Sequence, residues 1–317
     1  MQHRPLGRSG LSIAPLVLGT NVFGWSADEA LSFRLLDAFV DAGLNAIDTA
    51  DVYSRWVPDH EGGESESIIG RWLAANPAKR DKVQIFTKVG MDMGGDRVGL
   101  SARWIKDAVD GSLKRLKTER IDLYQSHQFD PNTPHAETLG AYAELIKAGK
   151  VRAIGASNFS AEQLADALDV SARENLPRYE SLQPEYNLYN RAAYDGALRD
   201  LAMHEKIGVI PYYGLAAGFL TGKYRSEADL AKSAARSARV APYLNPRGFR
   251  ILDAVEKVAK ARGAQMGEVA LAWMIARPGV TAPIASATSL AQMEGLVRAV
   301  QLTLTSGDIA ELDAASA

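Results

Sequence analysis

The sequence predicts an α/β fold, an eight-stranded parallel (β/α)8 TIM barrel, on three observations. Eight short apolar stretches recur along the 317 residues, and helical patterns with clear end signals separate them. No G-x-G-x-x-G follows the first strand, where a doubly wound dinucleotide sheet would normally carry one. Regular alternation of strand and helix implies parallel pairing with right-handed crossovers. Eight is the number that closes the barrel.

Taken in order, Leu6-Gly-Arg-Ser-Gly10 is a glycine-flanked turn between two extended pieces and predicts an N-terminal β-hairpin. The strands expected are 14–18, 46–49, 83–88, 121–126, 151–156, 181–183, 209–213 and 282–286. After the first, Leu31, Leu35, Phe39 and Ala42 recur at helical spacing and Gly43 stops the helix. Ser101 caps a helix with Ile105, Ala108, Val109, Leu113 and Leu116 along one face. Thr133-Pro134 reads as a cap followed by a first-turn proline, with Gly149 ending that helix. Ser160 and Gln163 have the spacing of a capping box. A further helix is expected over 193–204. One interval breaks the rhythm: 214–246, rich in Gly, Ser, Ala, Lys and Arg, precedes helical patterns near 249–261 and 266–275. So long an excursion after strand seven predicts a functional lid. No internal repeat or composition shift divides the chain, so a single domain over 1–317 is expected.

Bulk properties exclude several classes. Apolar residues are 47% and charged residues 23%, as in soluble globular proteins. A net charge of −2 gives no reason to expect nucleic acid or an anionic membrane as partner. The chain has no cysteine, so disulfides, zinc thiolates and a thiol nucleophile are out. The N-terminus lacks the apolar core of a signal peptide, and no apolar run reaches the ~18 residues of a membrane span. A cytoplasmic location is expected. No spacing suggests a metal site.

In a barrel, strand-end residues gather at the carboxyl rim, where chemistry is done. The second strand ends at Asp48 with Tyr53 just beyond, the third at Lys88, and the fourth runs into His127. A lysine closing an apolar strand needs a partner, because a buried unpaired ammonium is costly. Asp48 on the neighbouring strand is the natural one. A phenol beside that ammonium is expected to become more acidic, and a histidine there can orient a carbonyl. Together the four describe a site that protonates an oxygen as negative charge develops on it. Each has an ordinary alternative: Asp48 as a turn former, Lys88 snorkelling, His127 as a structural group, Tyr53 as a surface aromatic.

The segments Asp48-Thr-Ala-Asp-Val-Tyr53, Phe86-Thr-Lys88, Asp122-Leu-Tyr-Gln-Ser-His127, Gly155-Ala-Ser-Asn-Phe159, Gln183-Pro-Glu-Tyr-Asn-Leu188 and Leu220-Thr-Gly-Lys223 resemble the aldo-keto reductases. They occur in family order across nearly the whole chain. Within the family, the likeness is greatest to the bacterial branch related to potassium-channel β-subunits. The resemblance implies hydride transfer between NADP(H) and a carbonyl or alcohol. It makes Tyr53 the proton donor, Lys88 and Asp48 the groups that tune it, and His127 the group that orients the carbonyl. It also implies a cofactor set. Ser157, Asn158 and Gln183 hold the carboxamide, Tyr212 stacks on the ring, and Thr20 and Asp48 lie nearby. Tyr213, Gly214, Leu215, Ala217 and Lys223 meet the phosphates. Ser286, Thr288 and Gln292 meet the adenosine end. The resemblance favours NADP(H), but that last segment, Ser286-Ala-Thr-Ser-Leu-Ala-Gln292, lacks the basic residue that usually reads a 2′-phosphate, which leaves NAD(H) or dual use open. Arg236 or Arg239 from the lid are alternative sources of charge, and Gln292 is equally a capping partner of Ser289.

Asn21, Phe23, Trp25, Trp56 and Phe129, in loops around these residues, are expected to line a pocket for a small carbonyl or alcohol, including a sugar. The loop Asp59-His-Glu-Gly-Gly-Glu64 reads as solvated. Three other activities share these residues: a Schiff-base aldolase with Lys88 as nucleophile, a cofactor-sensing binding module without turnover, and a lyase or isomerase using the cofactor without net redox change. Oligomeric state has no signature in the sequence.

Overall fold

A computed structural model of the chain describes residues 2–232 and 237–317. Strands β1 (Arg4–Pro5) and β2 (Ser12–Ile13) form the antiparallel hairpin expected at the N-terminus. The barrel strands are β3 (Val17–Gly19), β4 (Ala46–Asp48), β5 (Gln84–Val89), β6 (Ile121–Ser126), β7 (Val151–Ser157), β8 (Tyr179–Gln183), β9 (Gly208–Val209) and β10 (Ile284–Ala285). They form one sheet in the order β10-β3-β4-β5-β6-β7-β8-β9, and every pairing in it is parallel. Its ends meet. The N–H groups of Thr281 and Ala282 donate to the Val209 carbonyl, and Ile284 N–H donates to Pro211. The fold is the expected (β/α)8 barrel.

The helices are α1 (Glu29–Asp41), α2 (Glu64–Ala75), α3 (Ala102–Leu116), α4 (His135–Lys147), α5 (Ala161–Glu174), α6 (Ala197–His204), α7 (Ser237–Val240), α8 (Pro246–Arg262), α9 (Met266–Ala276), α10 (Leu290–Gln301) and α11 (Ser306–Ser316). Ser101 accepts from Trp104 N–H as the cap of α3, and Ser160 and Gln163 make the reciprocal box of α5. Helices α8 and α9 occupy the two patterns read after the long excursion. Two starts differ from expectation. Pro134 is the cap residue of α4, because the Thr133 hydroxyl is drawn to Asp130 at 2.7 Å. Helix α6 begins at Ala197 rather than 193, since Tyr194 is buried against Tyr186 with its hydroxyl donating to Gly279, which holds the preceding turn out of the helix. Strand β9 is short because Pro211 has no N–H to offer the ladder.

Strand alternation divides the barrel interior into layers. Towards the amino ends, Val17, Ala46, Phe86, Leu123, Ala153, Ile210, Ala282 and Ile284 form an apolar plug, and Leu6, Leu11 and Ile13 of the hairpin seal it from below. Two residues further along the same strands, the inward positions become polar: Asp48, Lys88 and Gln125. Gly155 takes its place in that layer because a Cβ there would lie 2.1 Å from Ser181 Oγ and 3.1 Å from Gln125 Cγ. The site stands on this dry floor.

Candidate active site

Lys88, fully buried, is the hub. Its Nζ donates to Asp48 Oδ2 at 2.6 Å, to the Thr49 carbonyl at 2.8 Å and to Tyr53 Oη at 2.9 Å. The phenol also lies 3.5 Å from Asp48 Oδ2. Asp48 Oδ1 accepts from Gln183 Nε2 at 2.9 Å and from Gln125 Nε2 at 3.1 Å, so the buried carboxylate is saturated with donors. Tyr53 is held in place by its neighbour: Ser54 adopts a left-handed conformation (φ 73°) and donates to the Phe23 carbonyl at 2.7 Å. Such a conformation in a non-glycine residue persists only where its surroundings enforce it.

Electrostatics follow from burial and these contacts. Burial pulls the Lys88 ammonium down, but Asp48 and then Tyr53 outweigh it and hold it above the ordinary lysine value. Burial pushes the Tyr53 phenol up, Lys88 pulls it down and Asp48 pushes it up again, so it ends above its usual value. Lys88 acts on the phenol in the expected direction, but the expectation of a more acidic phenol is corrected, because burial together with Asp48 outweighs that pull. Burial, reinforced by Lys88, drives the His127 imidazole well below its ordinary value. Its ring stands 6.1 Å from the Tyr53 ring, centroid to centroid, and Nδ1 has no hydrogen-bond partner among the described residues. The cluster thus comprises a protonated phenol, a cation against it and a neutral imidazole alongside.

The sequence model of the Aldo/keto reductase family matches residues 15–317. The chain belongs to this family. Among its relatives, Uncharacterized oxidoreductase YrpG of Bacillus subtilis (strain 168) is 35% identical over 313 residues, 96% of this chain and 92% of the relative. Aldo-keto reductase YhdN of the same organism is 34% identical over 318 residues, 97% and 91%. L-glyceraldehyde 3-phosphate reductase of Escherichia coli (strain K12) is 32% identical over 324 residues, 99% and 92%. Membership places oxidoreduction of carbonyls as the class of chemistry.

In this aldo/keto reductase, Ser157, Asn158, Gln183 and Tyr212, which the sequence resemblance singles out, are joined by hydrogen bonds. Asn158 (φ 57°) donates through Nδ2 to the His127 carbonyl and to Ser157 Oγ, and accepts from Tyr212 Oη at 2.8 Å. Ser157 Oγ donates to the Gln183 carbonyl, and the Gln183 amide nitrogen is committed to Asp48 and Gln125. Thr20 is fully buried, its hydroxyl donating to the Asp48 carbonyl and accepting from Ser65. Tyr213 and Ala217 have positive φ, Leu215 accepts from Gly218 N–H, and Gly214 packs so closely on Met274 that a Cβ would lie 2.7 Å from its sulfur. Exposed Lys223 lies over the Tyr224 ring. Ser286 Oγ donates to Asn21 Oδ1 at 2.8 Å, which ties β10 to the loop after β3. Gln292 Oε1 accepts from Thr288 N–H and Oγ1, while Ser289 caps α10. Arg239 is exposed on α7, and Arg236 lies outside the described residues.

The pocket residues divide. Trp25 and Trp56 meet edge-on at 5.8 Å, and Trp56 meets Tyr53 at 6.1 Å, a continuous aromatic wall beside the phenol. Phe23 does not join it: the ring is fully buried in the core, so the expectation of a substrate contact is corrected. Phe129 turns towards His135 and Phe159. The 59–64 loop is ordered by Glu64, whose Oε1 accepts from the Glu61 and Gly62 N–H groups at the start of α2. Sequence reasoning missed Gln125. It sits two residues after inward-facing Leu123, and strand alternation alone would have found it.

Proposed function

We propose that this chain reduces an aldehyde or ketone to an alcohol, or runs the reverse, with NADP(H) or NAD(H) as hydride partner and Tyr53 as proton donor. One observation carries the reading: a buried ammonium 2.9 Å from a phenol, itself fixed by a buried carboxylate. The rim fits such a cofactor chemically, since an amide side chain, Asn158, is bonded to an aromatic residue, Tyr212. Asn158, Ser157 and Gln183 would hold the carboxamide, Tyr212 the ring, Tyr213 to Ala217 with Lys223 the phosphates, and Ser286, Thr288 and Gln292 the adenosine end. A nicotinamide bound there would supply the hydride.

Everything else is supplied by side chains. In reduction, Tyr53 Oη gives its proton to the carbonyl oxygen as negative charge develops there. Lys88 then faces the phenolate it leaves, and a fixed cation in a water-poor site stabilises that charge strongly. Neutral His127 can donate a hydrogen bond to the same oxygen without adding a competing acid. Asp48 keeps Lys88 charged and in place. The reverse reaction uses the same proton path. A Schiff-base role for Lys88 is disfavoured by this geometry, because an ammonium with all three hydrogens engaged has no lone pair to attack with.

The test is Tyr53→Phe, assayed by nicotinamide absorbance on a panel of small aldehydes and ketones. Turnover should fall by about a thousandfold or more, with cofactor affinity, read by tryptophan quenching, changed less than about threefold. Loss of both together, or retained turnover, would overturn the assignment.

A further inference from the structure

Thr87 and Tyr124 pair across β5 and β6 and alternate with inward-facing Lys88 and Gln125, so they point outward to the helices. There they meet a second buried set of ionisable side chains that the proposed chemistry does not use. Asp51 is 2% exposed, and neither of its carboxyl oxygens has a hydrogen-bond partner among the described residues; Tyr124 Oη has none either. Glu66, fully buried on α2, accepts from Thr87 Oγ1 at 2.5 Å and from Arg115 Nε at 2.6 Å. Asp51 N–H reaches the Lys88 carbonyl at 3.4 Å, which fastens this loop to the strand end that carries the hub of the site. The charged side chains acting on Asp51 are Glu66 on α2, Arg115 on α3 and Lys88 on β5, and Asp51 in turn acts on Tyr124 of β6 and Tyr142 of α4.

The charges do not balance if every acid is ionised. Lys88 is matched by Asp48, and Arg115 is engaged by Glu66, which leaves Asp51 without a counter-ion of its own among the described residues. A bare buried carboxylate is the costly form and a carboxylic acid the tolerable one. We propose that Asp51 is a buried proton-holding residue behind the catalytic cluster, and that losing its proton places a negative charge behind Lys88, which holds the Tyr53 phenol and passes the effect on to it. It is a positioning residue, acting through those two side chains. The second half of this inference rests on the reading of Tyr53 as proton donor. Burial and then Glu66 push the Asp51 carboxyl up to about 8, with Arg115, the nearby Val52 N–H and Lys88 pulling against them, so the change falls in mildly alkaline solution. Ionised Asp51 opposes charge development on Tyr53 and slows reduction on the alkaline side.

The experiment uses the full chain with isotope-labelled tyrosine ring carbons, the Tyr53 NMR line being assigned with Tyr53→Phe. In the unsubstituted protein that line should shift with a midpoint near Asp51's, and Asp51→Asn should abolish the shift. Glu66→Gln removes a like charge and should move the midpoint to lower pH, an independent check should Asp51→Asn not fold. In parallel, the ratio of Asp51→Asn to unsubstituted kcat for carbonyl reduction should rise about threefold or more between neutral pH and about one unit above the Asp51 midpoint. A Tyr53 line that is flat in the unsubstituted protein, or identical in Asp51→Asn, overturns the inference whatever the activity. A titrating line in a protein that reduces no carbonyl supports the proton site and overturns the reductase reading instead.

Discussion

Gln125 stands directly opposite Lys88 on the neighbouring strand, and the two side chains divide one carboxylate between them. Lys88 Nζ takes Asp48 Oδ2 at 2.6 Å, and Gln125 Nε2 takes Oδ1 at 3.1 Å. The pairing converts a strand register into a fixed position for the cation that faces Tyr53. It also means that Asp48 can hold its charge away from water only while its donors are present. Lys88→Met should therefore destabilise the fold by about 3–5 kcal/mol, because it strands a buried carboxylate. Adding Asp48→Asn should recover much of that loss, while reduction stays lost in both. Urea unfolding of the two single variants and the double variant checks this. Strictly additive losses would show that the pair is not coupled.

The same layer limits what position 155 can hold. A methyl on Gly155 would sit 2.1 Å from Ser181 Oγ, a buried hydroxyl with no hydrogen-bond partner among the described residues. Gly155→Ala should cost about 1–3 kcal/mol by overpacking and lower kcat by displacing Gln125. Ser181→Ala, harmless or mildly stabilising alone, should relieve part of both effects in the double variant. Thermal unfolding and kcat measured on all four proteins decide it. An unaltered Gly155→Ala would mean that the layer yields freely.

Much of this arrangement was legible in the sequence, and the failures have physical causes. Asp48, Lys88 and His127 declare themselves because a charged or titratable residue at the end of an apolar strand has no packing reason to be there. Gln125 does not, since a neutral amide within a strand is unremarkable until the register beside Lys88 is known. The Asp51, Glu66 and Arg115 group is assembled from a loop and two helices, and nothing in linear spacing brings them together. Phe23 was misread because an aromatic after a strand suits a pocket and a core equally, and only packing decides. Lys88 pulls on the Tyr53 phenol in the direction its place in the sequence implies, but burial, which linear sequence does not display, outweighs it.

His127 gives the fold a dependence on pH. Burial and then Lys88 hold its imidazole neutral, well below the ordinary value. The unfolded chain, with its histidine near 6.5, therefore binds more protons in mildly acidic solution than the folded one. Stability is fully present above the unfolded value and drains as pH falls towards the folded value, at roughly 1.4 kcal/mol per unit. His127→Phe, which keeps a ring beside Tyr53, should lose less stability than the unsubstituted protein between neutral pH and about pH 5. Urea midpoints across that range measure the difference. Parallel curves would show that His127 protonates as freely folded as unfolded.

On the proposed reading, cofactor choice turns on the start of α10. Ser289 caps that helix, and Gln292 spends its carbonyl oxygen on Thr288 N–H and Oγ1, so the segment 286–292 presents backbone and neutral side chains only. A helix N-terminus attracts an anion, but without a guanidinium or ammonium it gains little from a second phosphate ester on the adenosine ribose. If the adenosine end lies here, NADPH and NADH should bind within about tenfold of each other. Gln292→Arg adds a planar cation able to grip a phosphate through two parallel hydrogen bonds. It should tighten NADPH by about ten- to a hundredfold, equal to roughly 1.4–2.8 kcal/mol, and leave NADH nearly unchanged. Tryptophan quenching with the two cofactors in parallel provides the measurement. Equal tightening of both would place the new charge on the shared pyrophosphate, and no change in either would move the adenosine end away from α10.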